Sequence, residues 1–208
     1  MIPVKVLATR VIANASPALR QGLGAPVGYP SLGLITTDCD DATYIALDAA
    51  TKAADVRVCY ARSFYAGAAN ATTPNAGEVL GILAGANPET LKSGMEAALS
   101  TLERVGFEDA GGVPYLAHTV SSVGSFLAEE AGIRPGTAVA YLIAPPLEAM
   151  YALDGALKAA DVKLCKLYRP PSETNFGGGL LSGTQSACDA ACRAFAERVA
   201  EVARRSKL

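Results

Sequence analysis

Between residues 88 and 102 the apolar positions recur at helical spacing, with Leu91, Met95, Leu99 and Leu102 on one stripe. Asn87 suits the N-cap, Pro88 the first helical position, and Glu89 the positive end of the helix dipole. Upstream, the pattern predicts a strand over residues 4–13, a turn at Ser16 and Pro17, and a helix over about 42–54 capped by Asp40 or Asp41. A strand then begins at Val56–Cys59 and another covers 77–84. In the second half, Tyr115 to Val120 reads as a strand and Ser125 to Glu130 as a short helix. Pro146, Leu147 and Glu148 open a longer helix, and Thr184 caps the last one. Each half therefore reads strand, short helix, strand, helix, strand, strand, helix. Helices this few and this clustered do not fit alternating winding. They predict an α/β fold of α+β character, with mixed, mostly antiparallel sheets flanked by helices. Alanine dominates the helices, and small side chains let a helix lie close to its sheet.

The halves agree because the chain repeats itself. Residues 46–59, ALDAATKAADVRVC, and 152–165, ALDGALKAADVKLC, are identical at ten of fourteen positions at an offset of 106. GILAGANPETLKSGMEAALSTLERV at 81–105 corresponds to GLLSGTQSACDAACRAFAERVAEV at 179–202 at an offset of 98, so the first copy's intervening loop is eight residues longer. SLGLITTDCDDATY at 31–44 lies opposite AVAYLIAPPLEAMY at 138–151, where pattern survives and identity is mostly gone. The expected domains are 1–107 and 108–208, each near the size of one small domain. A duplicated domain without an evident catalytic outfit points to symmetric architecture.

Composition narrows the partners. Half of the 208 residues are apolar, 18% are charged, and the net charge is -2. No basic block is present to neutralise phosphates, so nucleic acid is not an expected partner. No apolar run reaches the ~20 residues of a membrane span, and MIPVKVLATR lacks a signal-peptide core, so the expected location is the cytosol and no membrane partner. Five cysteines, an odd number, fit a reducing compartment better than a disulfide framework.

Candidate chemistry is sparse. His118 is the single histidine, and no nucleophile elbow, Walker loop or dinucleotide fingerprint accompanies it. Gly177, Gly178 and Gly179 precede a strand rather than a helix start, which is poor geometry for an anion. Cys188 and Cys192 share a helix face, and Cys59 and Cys165 occupy equivalent positions of the two copies, where a small buried residue is expected. Neither pair has the further ligands of a zinc site, and no metal or cofactor is expected. A metal at Asp38, Cys39 and Asp40 stays open. The copies differ most at DCDD, 38–41, against APPL, 144–147, and at Glu78, whose counterpart region is glycine-rich. Two readings of these acids stand side by side: Asp40 or Asp41 caps a helix, or two carboxylates form a small pocket for an amine.

The runs SLGLITTDCDDATYIALD, ARSFYAGA, AGEVLGILAG, AYLIAPPLEAMYALD and PPSETNF occur in this order. In them the chain resembles, over essentially its whole length, the EutL-type tandem-domain shell proteins of ethanolamine-utilisation bacterial microcompartments. The resemblance implies two circularly permuted microcompartment (BMC) domains, a homotrimer forming a flat pseudohexamer, and edge-to-edge tiling with other shell proteins. It implies a structural and transport role, with a central pore gated by loops. Position by position, it assigns ethanolamine to Asp40, Glu78, Phe107 and Thr174, and the gate to Phe64, Tyr65 and Phe107. Asp40 and Glu78 would take the ammonium, Thr174 the hydroxyl, and Phe107 the two carbons. Four heavy atoms bind with at most about 6 kcal/mol, hence with micromolar affinity at best. Larger cofactors also belong to the implied traffic, and cobalamin stays a candidate ligand. The chain departs from the family at EDAGGVPYLA, 108–117, a loop about three residues shorter, where Gly111, Gly112 and Pro114 predict a sharp turn rather than a long lid. The rival reading is a soluble amine-binding protein or enzyme using Asp40 and Glu78.

Overall fold

Residues 31–39 are buried along nearly their whole length, so they form a central strand covered on both faces. A computed structural model describes residues 1–64, 76–170 and 175–205. They divide into two units, Pro3–Val105 with Gly124–Leu127, and Met1–Ile2 with Gly106–Val123 and Ala128–Leu208. In the first unit the order is β1 (Val6–Ile12), α1 (Pro17–Gly22), β2 (Ser31–Cys39), α2 (Asp40–Ala53), β3 (Val56–Phe64), β4 (Ala76–Gly85) and α3 (Pro88–Leu102). The sheet runs β1-β2-β4-β3 with every pairing antiparallel. Leu32, Ile82 and Ala84 pack with Ala15 in one core cluster, joined by the partly buried Ile12, Leu23 and Tyr29. Ala42, Ala46 and Ala50 on α2 are fully buried, as the small-residue composition anticipates.

The caps explain where helices begin. Asn87 accepts the Thr90 amide at 2.8 Å, and Pro88 follows it. Replacing Asn87 with alanine should cost about 1 kcal/mol, which calorimetry would read as a fall of roughly 2–4 °C in Tm. The buried stripe of α3 runs Leu91, Met95, Ala98 and Leu102, because the helix turns at 3.6 residues and leaves Leu99 half-buried. The cap expected on α2 is corrected. Cys39 occupies the N-cap without a side-chain hydrogen bond, and Asp40 and Asp41 lie in the first turn. Two threonines fasten the strand-to-helix junction instead: Thr43 Oγ1 donates to the Cys39 carbonyl (2.8 Å) and lies 2.7 Å from Thr37 Oγ1, which accepts the Cys39 amide (3.1 Å).

The second unit repeats the plan with one extra strand. Its elements are β5 (Glu108–Asp109), β6 (Pro114–Val120), α4 (Ser125–Ala131, which begins in the first unit), β7 (Ala138–Ala144), α5 (Pro146–Ala159), β8 (Val162–Tyr168), β9 (Gly177–Gly183) and α6 (Gln185–Arg204). The order β5-β6-β7-β9-β8 contains the same antiparallel four-strand arrangement. Leu142, Leu153, Leu181, Phe195 and Val199 form its core with Cys188 and Cys192. Thr184 caps α6 by accepting the Ala187 amide at 3.2 Å. The short turn at 110–113 is as sharp as its glycines require. Gly111 and Gly112 adopt φ of 72° and 94°, Asp109 Oδ1 accepts the Gly112 amide at 2.5 Å, and the Ala110 amide reaches the Val113 carbonyl at 2.9 Å.

Candidate functional site

Strand register gathers the acids of the first unit. Thr37 faces Val79 and Cys39 faces Gly77, so Asp38 stands across from Glu78, and α2 opens on Asp40 directly beyond. On the other side of β4, Phe64 pairs with Glu78 and is partly exposed. Asp38 serves the fold: its Oδ1 accepts the Lys5 amide at 2.8 Å, and its own amide donates to the Lys5 carbonyl at 3.1 Å. Asp40 is 4% exposed and its Oδ1 accepts the Asp41 amide at 2.9 Å. Glu78 is 9% exposed. Among the described residues, two buried side-chain atoms lack a hydrogen-bond partner, Arg20 Nε and Glu78 Oε2. A buried carboxylate oxygen left unpaired carries its full desolvation cost, and a small cation would relieve it. Burial, reinforced by the negative charges of Asp40, Asp41 and Asp38, pushes the Cys39 thiol well above its usual pKa, so it stays neutral. No group of three or more potential ligands able to hold a metal occurs among the described residues.

Phe107 belongs to the second unit, where it is fully buried with its ring 5.8 Å from that of Phe176. Tyr65 and Thr174 lie outside the described residues. His118 is on β6, opposite Tyr141 on β7. Cys188 and Cys192 are core residues, and burial raises the Cys192 thiol to about 11. Cys59 and Cys165 differ from the expected buried packing. Each is the extra residue of a β-bulge, between Val58 and Tyr60 and between Leu164 and Lys166, and a bulge turns its residue partly toward solvent. Gly177–Gly183 forms β9, so the glycine run is strand and makes no anion loop.

Sequence reasoning passed over Asp48. It is fully buried on α2, where Oδ2 accepts the Gly124 amide at 2.7 Å and Oδ1 the Leu127 amide at 2.9 Å. Its signal was present in the repeat: Asp48 and Lys52 recur as Asp154 and Lys158.

Residues 31–110 match the BMC domain family. The chain is 57% identical over 207 residues to the bacterial microcompartment shell protein EutL of Clostridium perfringens (strain 13 / Type A), covering 98% of this chain and 95% of that protein. It is 49% identical over 208 residues to EutL of Escherichia coli (strain K12), with the same coverage. A crystal structure of EutL from Clostridium perfringens superposes with a TM-score of 0.93 at 56% identity, covering 99% of this chain and 95% of that one. Fold and likeness together define a bacterial microcompartment shell protein, whose role is structural rather than catalytic. The chain belongs to the EutL family of these shell proteins.

Proposed function

We propose that three copies of this chain, each with domains 1–107 and 108–208, close into a flat pseudohexameric tile. The tile associates edge to edge with other shell proteins, and a central pore gated at Phe64, Tyr65 and Phe107 passes metabolites and larger cofactors. The observation that supports this most is the repeated strand order, β1-β2-β4-β3 and β6-β7-β9-β8, in one chain. Six equivalent modules around a threefold axis need only three such chains.

Ethanolamine is the proposed regulatory ligand. Asp40 and Glu78 hold its ammonium by charge-assisted hydrogen bonds, and Phe107 and Thr174 complete the set. The buried Glu78 Oε2, which has no hydrogen-bond partner among the described residues, supports this reading, since a bound ammonium would compensate it. The ligand moves the gate only by its difference in affinity for the open and closed states. Titration calorimetry with Glu78→Gln should show ethanolamine affinity at least tenfold below wild type, because a hydrogen bond to a charged group contributes about 1.5–3 kcal/mol. Wild-type affinity in that variant, with its assembly intact, would remove Glu78 from the site.

A further inference from the structure

Pro3 opens the first unit, whereas Met1 and Ile2 belong to the second, where they lie against Gly106, Phe107 and Glu108. Contacts to three consecutive residues fasten them there. The Ile2 amide donates to the Phe107 carbonyl at 2.6 Å. The Met1 α-ammonium lies 3.0 Å from Glu108 Oε2. At Gly106 the close approach needs the missing side chain, since a Cβ would meet the Ile2 carbonyl oxygen at 2.6 Å and Met1 Cγ at 3.2 Å. Gly106 and Phe107 are buried, so a Phe107 carbonyl without the Ile2 amide would leave an acceptor away from water. The ion pair is open to solvent, with side chains 36% and 52% exposed, and contributes little by itself. The amide and the packing on Gly106 carry the fastening.

The same stretch is held again from its C-terminal side. Glu108 pairs with Tyr115 and Asp109 with Pro114, and the tight turn between them is closed by the Asp109 side chain on the Gly112 amide. Phe107 therefore has its carbonyl tied to Ile2 and its following residue tied into a hairpin. Its ring is fully buried and lies 5.8 Å from that of Phe176, tilted by 54°. Phe176 stands directly before β9, which the sheet fixes. Main chain and ring are thus set by separate contacts, and Met1 and Ile2 supply the first of them.

We propose that Met1 and Ile2 form a strap that sets the position of Phe107, which makes Ile2 and Gly106 positioning residues for the ethanolamine site. The inference rests on the ligand reading above, in which Phe107 packs on the two carbons, and adds to it what holds that ring in place. A ligand of four heavy atoms makes few contacts, so each wall of its site carries a large share of the affinity. A wall serves only when its own position is fixed to within about 0.5 Å by packing and hydrogen bonds behind it. Holding Phe107 before the ligand arrives also lowers the ordering that binding demands. Release of the strap frees the Phe107 carbonyl, lets the main chain at 106–108 shift, and carries the ring away from the ligand.

Fluorine NMR and titration calorimetry on the full chain test the strap. The chain has 5 phenylalanines, so labelling with 4-fluorophenylalanine gives a short spectrum in which Phe107→Leu identifies the Phe107 resonance. Ile2→Pro removes the amide donor. It should move the Phe107 and Phe176 resonances, leave those of Phe126 and Phe195 in place, and weaken ethanolamine binding roughly tenfold, as expected for loss of about one hydrogen bond. Ile2→Val keeps the amide and should match wild type in both readouts. Gly106→Ala places a Cβ against the Ile2 carbonyl and should repeat the effect of Ile2→Pro from the other side of the contact. Wild-type affinity in Ile2→Pro and Gly106→Ala, or an unmoved Phe107 resonance, would overturn the strap, and the ligand reading would stand if Phe107→Leu still weakens binding. Wild type that binds no ethanolamine, or Phe107→Leu that binds it as wild type does, would overturn the part given to Phe107 and the strap with it.

Discussion

Replacing Asp48 with alanine should destabilise the chain by about 3–5 kcal/mol, since two buried amides lose their acceptor at about 1–3 kcal/mol each and a void is left. The side chain is fully buried, both carboxylate oxygens accept buried backbone amides, and Lys52 Nζ lies 3.5 Å from Oδ2. Alanine leaves the Gly124 and Leu127 amides without acceptors and opens a small void, so desolvation and packing costs add. At roughly 2–4 °C per kcal/mol for a chain of this size, Tm should fall by about 6–20 °C in a calorimetric scan. Asparagine keeps the volume and one acceptor but turns an amide group toward an amide, so Asp48→Asn should fall between alanine and wild type. A loss below about 1 kcal/mol for Asp48→Ala would mean that those two hydrogen bonds do not hold Gly124–Leu127 in place.

Gly178→Ala should be comparably severe. Gly178 lies within β9 between β7 and β8, facing Ile143 and Tyr168, with φ of 156°. A Cβ there would run into the backbone carbonyl of Leu142, which the sheet fixes and no rotamer change can relieve. Backbone strain and overpacking together should cost about 3 kcal/mol or more. Urea titration should show the midpoint falling sharply, or the protein failing to accumulate in soluble form. Gly22→Ala is the matched control. It meets nothing within 4 Å and lies in α1, so alanine should be neutral or gain up to about 1 kcal/mol. Equal stability of the two variants would show that the β7–β9 spacing tolerates a side chain.

Much of the fold was legible because two levels of pattern agreed. The 106-residue offset located equivalent helices and strands, and the resulting string matches the elements observed except for the added two-residue β5. Asn87 and Thr184 were legible as caps because a side chain bonding an amide three residues on is a local event. Asp40 and Asp41 misled for the complementary reason. The start of α2 is held by Thr37, six residues from Thr43, across a strand-to-helix junction that propensity does not describe. The bulges at Cys59 and Cys165 depend on pairing with β4 and β9, and only register reveals them.

At the candidate site, the acid asymmetry between DCDD and APPL was legible in the repeat, whereas the position of Glu78 across from Asp38 followed from strand pairing alone. The unpaired Glu78 Oε2 was not legible, since satisfaction of a buried atom depends on every neighbour in three dimensions. Asp48 was written twice in the sequence and still passed over. An acid on a helix usually faces water, and only the placement of Gly124–Leu127 against α2 distinguishes it from its exposed twin Asp154.

Cryo-electron microscopy of the purified chain at high concentration tests the tile most directly. Projection averages should show a flat particle with a threefold axis and six lobes alternating between two closely similar shapes around a central opening. Particles of single chains, or an assembly without a threefold axis, would contradict it.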